Sequence, residues 1–330
     1  MDINHIPRAP SGLSRRILAC VLTAAVFCTG CLAAEPQAAQ PAGSSEGISS
    51  VESKNAREQE PEAVSSSLDP EISAVQTVRS YPILEGTEEE NTVVVIEAPQ
   101  DGPCIFIVGG IHGDETAGWK AAERLKEEVR LTRGTLYILS PANRSGAEAD
   151  QRYVVNSGDL NRAFPGDPKS SEAASRIAAA MYREIERIQP DLVLDLHESK
   201  YLLGTNQGYG LGNTLIYTDD SKISDLLLDF LIANEEDNVC SEEFALTTPG
   251  IAGSFNRVVT DQLEIPVITT ETWRGYELPH RIGDQMDIVS CCLRYYQMID
   301  GSIHPGFLPR QRRACGQKMR AAGSLSADPF

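Results

Sequence analysis

The stretch Cys104-Ile-Phe-Ile-Val-Gly-Gly-Ile-His-Gly-Asp-Glu115 decides the fold of this chain. Its first half is apolar and rich in β-branched residues, which predicts a buried strand. Its glycines allow the backbone to turn sharply where the strand ends. The turn delivers His112 and Glu115, an imidazole and a carboxylate at a spacing that suits a mononuclear zinc site. The alternative is a polar turn in which Asp114 or Thr116 caps a following helix.

Strand and helix patterns alternate around this stretch. A helix is predicted from about Thr116, because helix formers follow and apolar residues recur on one of its faces. Ordered structure is expected from about Glu71. The remaining patterns predict strands at 92–98, 135–139 and 192–196 and a helix at 172–188. The alternation predicts one α/β domain with a largely parallel sheet and helices on both faces.

A third metal ligand is required, because a catalytic zinc site has three protein ligands plus water. His197 ends a short apolar strand, and ligands of open α/β sheets gather at the carboxyl ends of strands. We therefore expect His197 beside His112; a core histidine at a strand end is the alternative. His280 and His304 lie next to prolines in loop-like sequence and are expected at the surface.

Two further stretches carry polar groups suited to catalysis. The loop 152–166 holds Arg152, Asn161 and Arg162, which suit an anionic substrate because guanidinium binds carboxylate in a bidentate manner. Composition alone favours a loop of structural salt bridges instead. Glu271 follows a β-branched run, which places a carboxylate at a strand end. Beside zinc it can act as a general base; a merely exposed carboxylate is the alternative.

The order of these motifs resembles the succinylglutamate desuccinylase and aspartoacylase family, a branch of the zinc carboxypeptidase-like fold. The likeness rests on GGIHGDE, RY, DLNRAFPG, DLH and TET, and it covers about residues 92–300. It implies a single zinc carboxypeptidase-like α/β domain, with a mostly parallel mixed sheet and helices on both faces. It also implies zinc-dependent hydrolysis of an amide bond next to a free carboxylate.

The resemblance assigns the metal centre to four residues. His112, Glu115 and His197 are expected to bind one Zn²⁺ ion. Asp159 is expected to accept a hydrogen bond from the ring of His112, since such partners fix the tautomer of a ligand.

The resemblance assigns substrate chemistry to four others. Arg152 is expected to polarise the scissile carbonyl and stabilise the oxyanion. Asn161 and Arg162 are expected to clamp the free carboxylate of the substrate, and Glu271 is expected to be the general base.

The chain also departs from the family. Succinylglutamate desuccinylase and aspartoacylase carry a C-terminal β-domain that restricts the site to small N-acyl amino acids, and the residues after Glu271 are too few for it. Substrates are therefore expected to be small N-acyl amino acids or peptides with a free carboxylate. The leading interpretation is an N-acyl amino acid deacylase of the succinylglutamate desuccinylase/aspartoacylase type. Two alternatives remain: an extracytoplasmic metallocarboxypeptidase acting on peptides, and a non-catalytic surface binding lipoprotein with the same fold.

The N-terminus predicts export. Arginines precede the apolar run 17–28, which has signal-peptide proportions and is short for a membrane span. Gly30 and Cys31 resemble the end of a bacterial lipoprotein box, so residues 1–30 are expected to be removed and Cys31 to carry a lipid anchor on the outer face of the membrane. Ordinary secretion after cleavage near Ala33 is the alternative.

The rest of the chain divides by composition. Residues 31–70 have almost no large apolar side chains and are expected to form a flexible linker. Residues 71–300 form the expected catalytic domain, and residues 301–330 an expected disordered basic tail. The net charge of −18 argues against nucleic-acid binding. The eight cysteines, three of them in the signal region, do not form a disulfide framework or a structural zinc motif.

Overall fold

The computed structural model describes residues 75–218, 222–236, 239–248, 250–301 and 303. All described residues belong to one compact unit within Asp69–Phe330. The expected signal peptide, the lipid site Cys31, the linker up to residue 70, His304 and the tail beyond it lie outside the described residues. Within the described ranges, no helix has the length and apolar character needed to cross a membrane.

Eight strands form one mixed sheet in the order β1-β2-β4-β3-β5-β8-β6-β7. The strands are Thr77–Ile83 (β1), Asn91–Glu97 (β2), Gln100–Gly109 (β3), Arg133–Leu139 (β4), Leu192–Ser199 (β5), Thr214–Tyr217 (β6), Ala245–Thr247 (β7) and Val267–Trp273 (β8). The central strands β4, β3, β5 and β8 run parallel. Antiparallel pairing joins β1 to β2, β2 to β4 and β6 to β8.

The strand order reverses beside β3. The chain goes from β3 to β4 on one side and then crosses back to β5 on the other. Such a switch point opens a crevice at the carboxyl ends of the strands, where ligands of α/β sheets bind. His112 follows β3 and His197 lies near the end of β5, so the topology brings both histidines to this crevice.

The described part of the chain contains six α-helices beside the sheet. They are Thr116–Glu128 (α1), Arg144–Glu148 (α2), Ala173–Ile188 (α3), Ser224–Glu236 (α4), Phe255–Leu263 (α5) and Leu278–Tyr295 (α6). Apolar side chains of α1, α4 and α6 share one core cluster, and those of α3 and α5 share a second one. The two clusters lie on opposite faces because strand side chains alternate: Ile105 and Ile107 belong to the first, and Phe106 and Val108 to the second.

The predicted α/β class, the mixed sheet and the helices on both faces are confirmed. The strand β1 was not predicted, because most of its residues are exposed and it has no apolar alternation; only its pairing with β2 makes it a strand. The helix α6 replaces the loop expected around His280. Pro279 lies in its first turn, where proline is tolerated because its missing N–H has no intrahelical partner.

Candidate metal centre

The turn that carries His112 and Glu115 depends on two glycines for different reasons. Gly110 has a φ of +76°, which a residue with a side chain rarely adopts. Gly113 instead lacks space, because a Cβ atom there would lie 2.0 Å from the carbonyl carbon of Gly146. The turn therefore rests directly on the backbone of α2, and this contact fixes the position of the two side chains.

Three buried side chains converge in the crevice. The two carboxylate oxygens of Glu115 each contact one histidine, with Oε1 2.8 Å from Nδ1 of His112 and Oε2 2.7 Å from Nδ1 of His197. One donor atom from each of these residues lies within 4.8 Å of the others. In the part of the chain that the structure describes, this is the group arranged to hold a metal ion.

Each histidine points its second ring nitrogen at an aspartate. Nε2 of His112 lies 3.2 Å from Oδ1 of Asp159, and Nε2 of His197 lies 3.1 Å from Oδ2 of Asp195. Imidazoles that bind metals are commonly oriented by carboxylates in this way. Asp159, which the resemblance assigned to His112, lies within hydrogen-bond distance of its ring. The structure adds Asp195, which the sequence analysis missed.

The capping alternative for Asp114 does not describe this turn. Glu115 is the N-cap residue of α1 and makes no side-chain capping hydrogen bond. Asp114 instead accepts a 2.8 Å hydrogen bond from Nη1 of Arg274, whose Nη2 donates to the Asp114 carbonyl. Arg274 therefore ties the ligand-bearing turn to the end of β8, a role that sequence analysis did not assign.

Glu271 lies on β8 directly beside His197 on β5. Neighbouring strands are about 4.8 Å apart and paired residues point to the same side of the sheet, so the two side chains border the same crevice. Burial of the carboxyl and the nearby negative charge of Glu115 raise the pKa of Glu271 to about 8. Its position matches the predicted one, at a strand end next to the candidate ligands.

The charges in the crevice support an ionised Glu115. Burial opposes ionisation, but the imidazoles of His112 and His197 hold the pKa of Glu115 well below its usual range. Burial also works against the charged form of His197, yet Asp195 and Glu115 raise its pKa well above the ordinary value. Glu115 and His197 thus favour each other's charged forms.

Arg152 lies against the candidate ligands. Its Nε and Nη2 donate to Oδ2 of Asp159 at 3.1 and 3.0 Å, and its Nη1 is 3.5 Å from Oε1 of Glu115. Despite burial, His112 and Arg152 hold the pKa of Asp159 below its usual range. The loop 152–166 was expected either to form structural salt bridges or to line an active site. The ion pairs of Arg152 lie at the candidate ligands, so these contacts agree with both interpretations.

Asn161 and Arg162 lie on a short 3₁₀ turn at Leu160–Arg162. The side-chain oxygen of Asn161 accepts a 2.8 Å hydrogen bond from the backbone N–H of Phe255, the first residue of α5. This bond fixes which end of the amide is the oxygen, so the opposite end presents the nitrogen as a hydrogen-bond donor. Arg162 is exposed, and its Nη1 donates to the Asn161 carbonyl at 2.6 Å.

His280 does not lie on a surface loop as expected. It lies in the first turn of α6 and is half-buried, with its Nε2 3.2 Å from Asp284. The same nitrogen contacts Ser241, and the ring stacks on Tyr276. His280 therefore joins the start of α6 to the 239–248 segment.

The sequence of the chain matches known proteins in the region of this site. Residues 101–241 match the family model described as the succinylglutamate desuccinylase/aspartoacylase catalytic domain. Over this segment the chain is similar to the succinylglutamate desuccinylase/aspartoacylase family. A relative from this group, N-alpha-acetyl-L-2,4-diaminobutyric acid deacetylase of Halomonas elongata, is 32% identical over 152 residues, which are 44% of this chain and 44% of the relative. The chain thus spans less than half the length of that relative.

Solved structures share the fold of this chain. A succinylglutamate desuccinylase/aspartoacylase from Rhodobacter sphaeroides superposes with a TM-score of 0.52 at 19% identity, over 72% of this chain and 70% of the other. The cell shape determinant protein Csd4 from Helicobacter pylori superposes with a TM-score of 0.55 at 18% identity, over 64% and 57%. At these identities the likeness concerns the fold alone.

Proposed function

We propose that this chain is a zinc-dependent hydrolase that cleaves an amide bond next to a free carboxylate. The convergence of His112, Glu115 and His197, with Glu271 beside them on the next strand, carries the proposal. The match of residues 101–241 to the succinylglutamate desuccinylase/aspartoacylase catalytic domain supports the reaction class.

The donor set fits zinc. Two imidazoles and one carboxylate form a ligand set of catalytic zinc sites, which keep one position open. The Nδ1 atoms of both histidines face Glu115, and Nε2 of His112 faces Asp159. Nδ1 is therefore the proposed ligand nitrogen of each histidine. A zinc ion held by these residues supplies Lewis acidity, which activates water and polarises the substrate carbonyl.

Glu271 is the proposed general base. It accepts the proton of the attacking water and then donates it to the leaving amine, which requires a carboxyl group with a pKa near the working pH. Burial, which raises the pKa of this carboxyl to about 8 in the metal-free protein, supports that role. The positive charge of a bound ion favours the ionised form.

The loop residues are proposed to bind the substrate. Arg152 stays about one-third exposed beside Glu115, so its guanidinium can stabilise negative charge that develops on the carbonyl oxygen. Asn161 and Arg162 provide an amide donor and an exposed guanidinium on one short turn. Together they suit the free carboxylate of the substrate.

The proposed substrates are N-acyl amino acids, with peptides as the second class. The name of the Halomonas elongata relative, a deacetylase, favours the first class. Csd4 has also been solved with a tripeptide bound, so the carboxypeptidase alternative belongs in the same test. From the N-terminal sequence we further propose that the protein is exported and anchored to the bacterial membrane through Cys31, which lies outside the described residues.

Hydrolysis by the purified full chain tests the reaction. The zinc-loaded protein is assayed against N-acyl amino acids and against tripeptides, with and without a chelator. We expect release of free amino acid that the chelator abolishes and zinc restores. Replacement Glu271→Gln is expected to retain zinc and to lower kcat by roughly 10²–10⁴-fold, because general base catalysis contributes that much.

A matched control is Glu264→Gln, which changes an exposed carboxylate before β8 and should keep the wild-type rate. Unchanged kcat in Glu271→Gln would remove Glu271 from the mechanism. Zinc binding without turnover of any substrate would favour the non-catalytic binding alternative.

A further inference from the structure

A polar strip crosses the buried face of α6. Arg281 and Gln285 lie one helical turn apart, among the apolar side chains that pack α6 on the sheet. Gln285 is fully buried. A buried amide costs free energy unless it is hydrogen-bonded, so its partners show what the strip holds.

Gln285 binds the two strands that carry His197 and Glu271. Its side-chain nitrogen donates to the backbone carbonyl of His197 at 2.7 Å and to the hydroxyl of Thr272 at 3.2 Å. Its side-chain oxygen accepts from the hydroxyl of Thr270. One amide therefore contacts a candidate ligand residue and both neighbours of the proposed base.

Arg281 acts on the same strand through Glu198. It donates to Oε1 of Glu198, while Oε2 accepts a 2.9 Å hydrogen bond from the backbone N–H of Ala117 in α1. The backbone N–H of Glu198 donates to Oε2 of Glu115 at 3.0 Å. Arg281 thus reaches the third candidate ligand through a buried carboxylate.

The strip and the crevice lie on opposite faces of the same strands. Side chains alternate along a strand, so Thr270, Thr272 and Glu198 face α6 while Glu271 and His197 face the crevice, in agreement with their contacts. A shift of β5 against β8 would change the separation of His197 and Glu271. Gln285 bridges these two strands at that level.

We propose that Gln285, supported by the Arg281–Glu198 pair, is a positioning residue that sets the relative position of His197 and Glu271 from behind the sheet. The inference rests on the proposed function only for its kinetic consequence, since the effect on metal binding does not require turnover.

The test compares Gln285→Met with wild type in the full chain. Methionine keeps the volume and removes the three hydrogen bonds. We expect the affinity for Zn²⁺, measured by competition with a chromogenic chelator, to fall about tenfold, as is common when outer partners of metal ligands are lost. The visible absorption spectrum of the Co²⁺-substituted protein should change, and kcat should fall about tenfold with KM nearly constant.

The matched control is Ser290→Ala. Ser290 is also buried on α6, but its hydroxyl donates to the Met286 carbonyl within the helix. We expect this variant to keep the wild-type metal affinity and Co²⁺ spectrum. Should Gln285→Met not fold, Thr270→Val removes one of the same hydrogen bonds with a smaller change and is expected to give the same effects at reduced size.

Equal metal affinity and spectra in wild type, Gln285→Met and Ser290→Ala would overturn the positioning role. The result is separable from the proposed function. A wild-type protein that hydrolyses nothing would contradict the hydrolase, while the affinity and the Co²⁺ spectrum would still decide whether Gln285 positions the site.

Discussion

One half of the candidate metal centre lies on strands, whereas the other half lies on the turns after β3 and β4. In the strand half, the ring of His197 lies beside Asp195 of the same strand, with Nε2 3.1 Å from Oδ2, and the aspartate is 1% exposed. In the turn half, His112 is oriented by Asp159 from a distant loop, and the aspartate side chain is 17% exposed. An aspartate beside a histidine should therefore contribute more to metal affinity at the buried Asp195 than at Asp159, because water cannot replace the buried carboxylate.

The largest expected effect separates the two aspartates. Asp195→Asn should lower Zn²⁺ affinity by about 10–100-fold, the usual range for loss of an outer carboxylate. Asp159→Asn should lower it less, because water can replace the lost contact at the more exposed position. Competition with a chelator measures both, and a larger loss in Asp159→Asn would reverse the comparison.

A smaller effect, on KM, is expected at Arg162, the exposed residue of the turn half. Arg162→Ala should raise KM about tenfold for substrates with a free carboxylate, since charge-assisted hydrogen bonds contribute about 1.5–3 kcal/mol. It should leave KM unchanged for the corresponding amides. Steady-state kinetics on matched acid and amide substrates provide the measurement, and equal changes for both would exclude Arg162 as the clamp.

A further comparison concerns stability instead of binding, namely the pH dependence of the strand half in the metal-free protein. The pKa of Glu271 is about 8 in the folded protein against an ordinary value of 4.5. Between these values the folded state holds a proton that the unfolded state releases, so this group makes stability fall as pH rises. Glu271→Gln lacks this dependence.

Thermal unfolding at a series of pH values checks the sign. The Tm of Glu271→Gln, taken relative to metal-free wild type, should rise from pH 4.5 to pH 8 and then level off. A Tm difference that is constant over that range would contradict the raised pKa of Glu271.

The two halves also differ in what the sequence predicts. The strand half is local, because an apolar run ending in a histidine indicates a buried strand with its last residue at the sheet edge. Asp195 could have been found in the same way, since it lies two residues before His197 and therefore on the same face. The turn half unites His112 and Asp159, which are 47 positions apart, and only the resemblance to a family connected them.

Contacts made by α6 were beyond sequence reasoning. Pro279 and His280 indicated a loop, and nothing in the pattern of α6 shows which residue Gln285 meets across the core. Tertiary packing decides such pairs. The pairing of Asp114 with Arg274, 160 positions apart, is of the same kind.

The position of β8 in the sheet sets a limit on trimming the protein. The segment that matches the family ends at residue 241, yet β8 lies between β5 and β6 and α6 follows it. A fragment cut at the boundary of similarity would leave β5 with an open edge, a site for unwanted strand pairing and aggregation. The smallest portion worth expressing therefore extends through Tyr295, well past the recognisable family segment.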